Sequence, residues 1–172
     1  MTTSTITTTT VVITTDHCLG RGRKSLAKIF AQALYPRMLE ELADLELLEN
    51  FREPVLIPIP LAPKRLRERG FNQAELLCKE LLKLDKSNGI LAMANNVLAK
   101  PKDTIHQAHA TNRTARLKNL IGSFVVNNQE LIENKNIILI DDITTTGATL
   151  SEARKILKQA GARKVIAFTV AH

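Results

Sequence analysis

The stretch Asn136-Ile137-Ile138-Leu139-Ile140-Asp141-Asp142-Ile143-Thr144-Thr145-Thr146-Gly147-Ala148-Thr149-Leu150 constrains the fold more than any other part of the chain. Its four successive apolar β-formers, Ile137 to Ile140, lack polar alternation, which is the pattern of a central strand in a parallel sheet covered on both faces. Asp141 and Asp142 follow at once, at the carboxyl end of the strand, where open α/β sheets bind their ligands. Next come three threonines, one glycine, and a helical stripe of Leu150, Ala153, Ile156, Leu157 and Ala160. A loop of small residues feeding a helix start offers backbone N–H groups and the positive end of a helix dipole, both suited to a phosphate. The acid pair beside it can accept hydrogen bonds from sugar hydroxyls or help hold a hydrated divalent metal. A capped strand-to-helix connection with no ligand is the plainer alternative, since Thr and Asp are ordinary N-cap residues. Capping needs only one such residue, and this loop supplies several.

Bulk properties narrow the class. The 172 residues are 44% hydrophobic, enough for one sizeable core and therefore one domain. Aromatics make up only 3%, so a stacking platform for bases is poorly supplied, which counts against a dedicated single-strand binder. Cys18 and Cys78 stand far apart, in no disulfide framework or zinc pattern, and a reducing cytoplasm is the expected location. The net charge of +7 is concentrated in windows 21–28, 64–69 and 100–118, while 40–53 is mostly acidic. Basic windows attract polyanions, and charge alone does not choose between a pyrophosphate-bearing metabolite and nucleic acid. No apolar run approaches the roughly 18–20 residues of a membrane helix.

Taken in order, residues 1–20 read as a flexible Thr-rich tail, and residues 21–172 as one domain whose first part, 21–53, is a small helical hood. Thr and Val also favour extended structure, so the Val11-Val12-Ile13 island would pair if a sheet edge were available. Pro36 divides the hood into two predicted helices, Ser25 to Tyr35 and Pro36 to Leu48. A proline-bounded strand over 55–59 leads into Lys64, Arg65, Arg67 and Arg69, a cationic run at a strand end that suits a second anion site. The alternative for such a run is a solvated helix face. A helix then starts at Gly70-Phe71-Asn72-Gln73 and continues to Leu84. Lys100 to His109 has no period and reads as a mobile loop, in which His106 and His109 are exposed residues without a third metal ligand. A helix is expected from Thr111 to Asn119, and Gly161 ends the helix before the last strand. Strands at 55–59, 96–99, 123–126, 136–140 and 164–170 give an α/β fold, a mainly parallel five-stranded sheet flanked by helices.

With these residues in place, Ile137 to Thr149 resembles the signature of the type I phosphoribosyltransferases, an apolar strand ending in two acids and a Thr-Thr-Gly-x-Thr loop. The series Ile57-Pro58-Ile59-Pro60-Leu61, Arg69-Gly70-Phe71-Asn72-Gln73, Gln107, Arg113, Asn119, Gly122, Phe124 and Asp141-Asp142 resembles more narrowly the ComF family, competence-associated proteins of that superfamily. The resemblance implies that Asp141 and Asp142 contact the ribose hydroxyls of phosphoribosyl pyrophosphate (PRPP), with Mg2+ held through the ligand and waters. It implies that Thr145, Thr146, Gly147, Ala148 and Thr149 cradle the 5′-phosphate and that Leu61, Ala62, Lys64 and Arg65 take the pyrophosphate. Lys100 would assist departure of pyrophosphate, and Lys102, Thr104 and Gln107 would belong to a mobile loop over the substrate. The same resemblance admits a non-catalytic protein that senses a ligand or handles single-stranded DNA during DNA uptake. Two departures stand out. No Cys-rich zinc-binding segment precedes the domain in these residues, and Lys100 holds the position where the family usually has Arg, keeping the charge but not the planar fork.

Overall fold

The computed structural model describes residues 8–12, 26–100, 124–142 and 147–171. Its frame is a five-stranded sheet in the order β1 (Thr8–Val12), β7 (Lys164–Ala171), β6 (Asn136–Asp141), β2 (Val55–Pro58), β3 (Ala92–Met93), with every neighbouring pair parallel. All six residues of β6 are buried, as an apolar strand without alternation requires. The pleat sorts side chains between two cores. Leu56, Ile138, Ile140, Ile166, Phe168 and Val170 face α1 (Leu26–Glu49) and α3 (Gln73–Leu84). Ile57, Ile137, Leu139, Val165 and Ala167 face α4 (Ala148–Gln159), which contributes Leu150, Ala153 and Leu157.

The expected hood is a single helix. Pro36 lies inside α1, and Ala27, Ala31, Leu34, Met38, Leu42 and Leu45 form one uninterrupted buried stripe on either side of it. Two helices were expected because proline removes a helical N–H. Here the affected carbonyl belongs to Gln32, and both Gln32 and Pro36 are exposed, so water can satisfy the lost bond while the buried face stays in phase.

Sheet membership also differs from expectation. Thr8–Val12 falls within the expected tail but forms edge strand β1, in register from Thr8 opposite Ala167 to Val12 opposite Ala171. The expected strands at 96–99 and 123–126 do not join the main sheet. They form a separate antiparallel ribbon of β4 (Leu98–Ala99) and β5 (Val125–Val126). The physical reason is at Asn96. Ala94 N–H still bonds Leu56 O at 3.1 Å beside β3, and then Asn96 takes a left-handed φ of 58° that turns the chain out of the sheet.

A buried acid braces the α1/α3 side. Asp85 accepts hydrogen bonds from Leu91 N–H at 2.7 Å and from the Tyr35 hydroxyl at 2.8 Å, tying the end of α3 to α1 and to the approach to β3. On the other face of the sheet, Gly161 has a φ of 95° after α4, the left-handed turn expected there. The site forms where connections leave in opposite directions. From β2 the chain moves outward to β3, and from β6 it moves the other way to β7, so the carboxyl ends of β2 and β6 flank the switch point of the sheet.

Candidate functional site

The site is assembled from three connections that meet at the ends of β2 and β6. Strand β6 carries Asp141 and Asp142 to this point. Asp141, opposite Thr169 of β7, is only 8% exposed, and its Oδ1 accepts a hydrogen bond from Asp142 N–H at 2.9 Å. That bond orients the first carboxylate along the chain and leaves the second turned outward, with its side chain 24% exposed. On the β2 side, Ile59 N–H donates to Ile140 O at 2.9 Å, fastening the turn after β2 one residue before the acids.

The basic run is both a helix and a site wall. Residues Pro63–Arg69 form α2, with proline in its first turn and Gly70 closing it at a φ of 78°; none of its residues is buried. The turn expected over 61–65 is therefore shorter. Leu61 is half-buried and Ala62 is the buried N-cap, while Lys64 and Arg65 already stand in the first helical turn. Asn72 fixes the next corner. Its Oδ1 caps α3 by accepting from Ala74 N–H at 3.1 Å, and its Nδ2 donates to Ile59 O at 3.0 Å. This one amide joins α3 to the turn after β2.

Lys100 enters from the strand β4 side. It is half-buried, with Nζ 5.3 Å from the centre of the Phe124 ring, a cation–π distance. Burial pushes its pKa below the usual lysine value, and the nearby Arg65 cation adds to the fall while Asp141 opposes it. One cationic side chain thus feels both Asp141 and Arg65. The sequence contains no local signal for this meeting of three separate segments.

At the start of α4, Gly147 adopts a φ of 67° and supplies no side-chain cap, so the first-turn N–H groups depend on partners other than its side chain. Ala148 is buried and Thr149 half-buried. Thr145 and Thr146, the loop residues Lys102, Thr104, Gln107, His106 and His109, and the expected helix from Thr111 to Asn119 lie outside the described residues. A cleft of about 360 Å³ adjoins the turn on the β3 side, lined in part by Leu61, Leu66, Asn72, Glu75, Asn95 and Asn96.

Arg69, expected only as part of the cationic run, meets the acid pair. Its Nη1 donates to Gln73 Oε1 at 2.6 Å and lies 4.0 Å from Asp142 Oδ2. The Arg-Gly-Phe-Asn-Gln element carried the signal, because its ends are four residues apart across a glycine turn. The acid pair fits Mg2+ better than a softer metal, since it offers hard carboxylate oxygens. Among the described residues no cluster of three His, Cys, Asp or Glu side chains could hold a metal, so waters and ligand oxygens would have to complete the coordination.

The chain matches the phosphoribosyl transferase domain over residues 66–172 and belongs to that family, within its ComF branch. It is 40% identical over 117 residues to competence protein ComFC of Bacillus subtilis, covering 67% of this chain and 43% of that protein. It is 35% identical over 113 residues to competence protein F of Haemophilus influenzae, covering 64% and 46%. The chain thus spans about half the length of these relatives. The hypoxanthine phosphoribosyl transferase of Trypanosoma cruzi shares the fold, with a TM-score of 0.50 at 13% identity over 85% of this chain and 64% of that one. Among the described residues no helix is long and apolar enough to cross a membrane.

Proposed function

We propose that the protein binds PRPP with Mg2+ and transfers its phosphoribosyl group to an acceptor nitrogen in the cytoplasm. The observation that carries this reading is the convergence of Asp141, Lys100 and Arg65 at the switch point of a phosphoribosyl transferase fold. Asp141 and Asp142 hold the ribose hydroxyls, and the first turn of α4 from Gly147 to Thr149, with Thr145 and Thr146, takes the 5′-phosphate. Leu61, Ala62, Lys64 and Arg65 receive the pyrophosphate. When bound, Mg2+ supplies charge neutralisation of the pyrophosphate and template binding of its oxygens. In the reaction the acceptor nitrogen forms a bond to the anomeric carbon as the bond to pyrophosphate oxygen breaks, and the electron pair leaves with pyrophosphate. Lys64, Arg65 and Lys100 stabilise that developing anion, and the positive charge on the sugar develops beside the acid pair.

Titration calorimetry with PRPP and Mg2+ tests the site. Asp141→Asn/Asp142→Asn is expected to weaken binding at least about tenfold, given roughly 1.5–3 kcal/mol for a hydrogen bond to a charged group. Equal binding by the variant and the wild type would sink the assignment.

A second reading is a non-catalytic protein that senses the same ligand or handles single-stranded DNA during DNA uptake. It is favoured by the competence names of its relatives and by the exposed cations of α2. Single-stranded DNA affinity measured against salt separates the two, because phosphate contacts give a log–log slope of about −0.7 per neutralised charge. A flat response excludes a phosphate-contacting DNA surface.

A further inference from the structure

Arg65 and Arg69 are four residues apart on α2 and so lie on one face of that helix. Arg69 faces the acid pair directly, and Arg65 reaches the site through Lys100. Arg65 acts on Lys100 beside Asp141, and Arg69 stands 4.0 Å from Asp142 Oδ2. The Arg69 contact is an ion pair too long to be a hydrogen bond, whereas the same Nη1 bonds Gln73 Oε1 at 2.6 Å. With side chains 44% and 24% exposed, the pair is loosely held and partly solvated. Asp142 is also the more exposed of the two acids, half-buried where Asp141 is buried.

We propose that Arg69 is a specificity-determining residue, a resident cation on Asp142 that a pyrophosphate-bearing ligand draws away and that a ligand lacking pyrophosphate must displace unaided. This rests on the PRPP reading of the site. Any sugar whose hydroxyls reach Asp142 also comes within reach of Arg69, and a guanidinium exchanges a long carboxylate contact for a bidentate phosphate one at a gain. PRPP supplies that phosphate next to the α2 face. Ribose 5-phosphate carries the same hydroxyls and the same 5′-phosphate but offers nothing to Arg69, so it competes with the guanidinium for Asp142. Gln73 anchors the guanidinium during the exchange, which accounts for an amide one turn beyond Gly70.

The test is calorimetry of the wild-type chain, Arg69→Ala and Gln73→Ala with PRPP and, separately, ribose 5-phosphate at one fixed Mg2+ concentration. Arg69→Ala is expected to move the two ligands in opposite directions. PRPP should bind roughly 10- to 100-fold more weakly through loss of a charge-assisted bond, while ribose 5-phosphate should bind roughly two- to five-fold more tightly through loss of a partly exposed ion pair. Gln73→Ala, which keeps the charge and removes its anchor, should narrow the PRPP preference by a smaller factor in the same sense. An Asp142→Asn background should abolish the gain in ribose 5-phosphate affinity. If Arg69→Ala weakens both ligands alike, or if neither variant changes the ratio, the proposal is overturned while the PRPP reading survives. Wild-type protein that binds no PRPP overturns that reading itself. Thermal unfolding of each variant separates a loss of fold from a loss of preference.

Discussion

Lys100 carries opposing demands. Its ammonium lies over the Phe124 ring and near Arg65 and Asp141, so the folded protein holds a cation where burial and one neighbour disfavour it and another neighbour favours it. Arg65→Ala is expected to raise the Lys100 pKa and Asp141→Asn to lower it further, both readable by NMR titration of the 13C-methylated amine. The consequence for stability follows from the direction. A lysine whose folded pKa is lowered keeps its full penalty below that folded value, where both states are protonated. The penalty is relieved as pH rises from the folded value toward the ordinary 10.5, because the folded state releases its proton first. Lys100→Met should therefore raise the denaturation midpoint at neutral pH, lose that advantage as pH approaches the ordinary lysine value, and weaken PRPP binding. A midpoint difference from wild type that stays constant across this range would count against the assigned environment.

At the scale of elements, α1 shows how a helix carries an internal proline when the cost falls on its wet face. Its core stripe from Ala31 to Leu45 packs with Ala74, Leu77 and Leu81 of α3 over the sheet. Pro36 contributes nothing to that stripe. Pro36→Ala restores a hydrogen bond to Gln32 O and a better helix former, and it should stabilise the protein by about 1–3 kcal/mol, the upper end being the intrinsic difference between the two residues. Urea denaturation would show the gain as a raised midpoint with an unchanged slope. A lowered midpoint would mean that the proline is required by the packing of α1. The short α2 illustrates a different rule. Its basic run is the solvated helix face of the alternative reading, and the structure places that face at a strand end, with Arg69 4.0 Å from Asp142 Oδ2.

The molecule as a whole depends on which segments reach the sheet edges. β1 covers the outer edge of β7, whose Val165 to Val170 are all buried. Removing residues 1–12 should expose that edge, cost a few kcal/mol at about 1 kcal/mol net per lost ladder bond, and promote concentration-dependent association through the open strand. Sedimentation velocity together with chemical denaturation reads both effects, and a truncated chain that is equally stable and monomeric would show β1 to be dispensable. The features legible in advance are those encoded locally. The apolar run of β6, the acids that end it, the Asn72 start of α3 and the Gly161 stop need only neighbouring residues to declare themselves. Two-residue strands such as β3, β4 and β5 carry no period, and their pairing follows from the left-handed turn at Asn96 and from the partner that each meets. Thr8–Val12 has extended propensity but becomes a strand only because β7 presents an unpaired edge. The same division holds within the site. The sequence by itself determined the acid pair, the small-residue loop and the basic run, since each is a run of adjacent side chains with its own chemistry. Only the tertiary structure decided that Lys100 senses Arg65 and Asp141 and that Arg69 stands opposite Asp142, because those meetings depend on how β2, β4 and β6 are placed in space, and no local spacing specifies that.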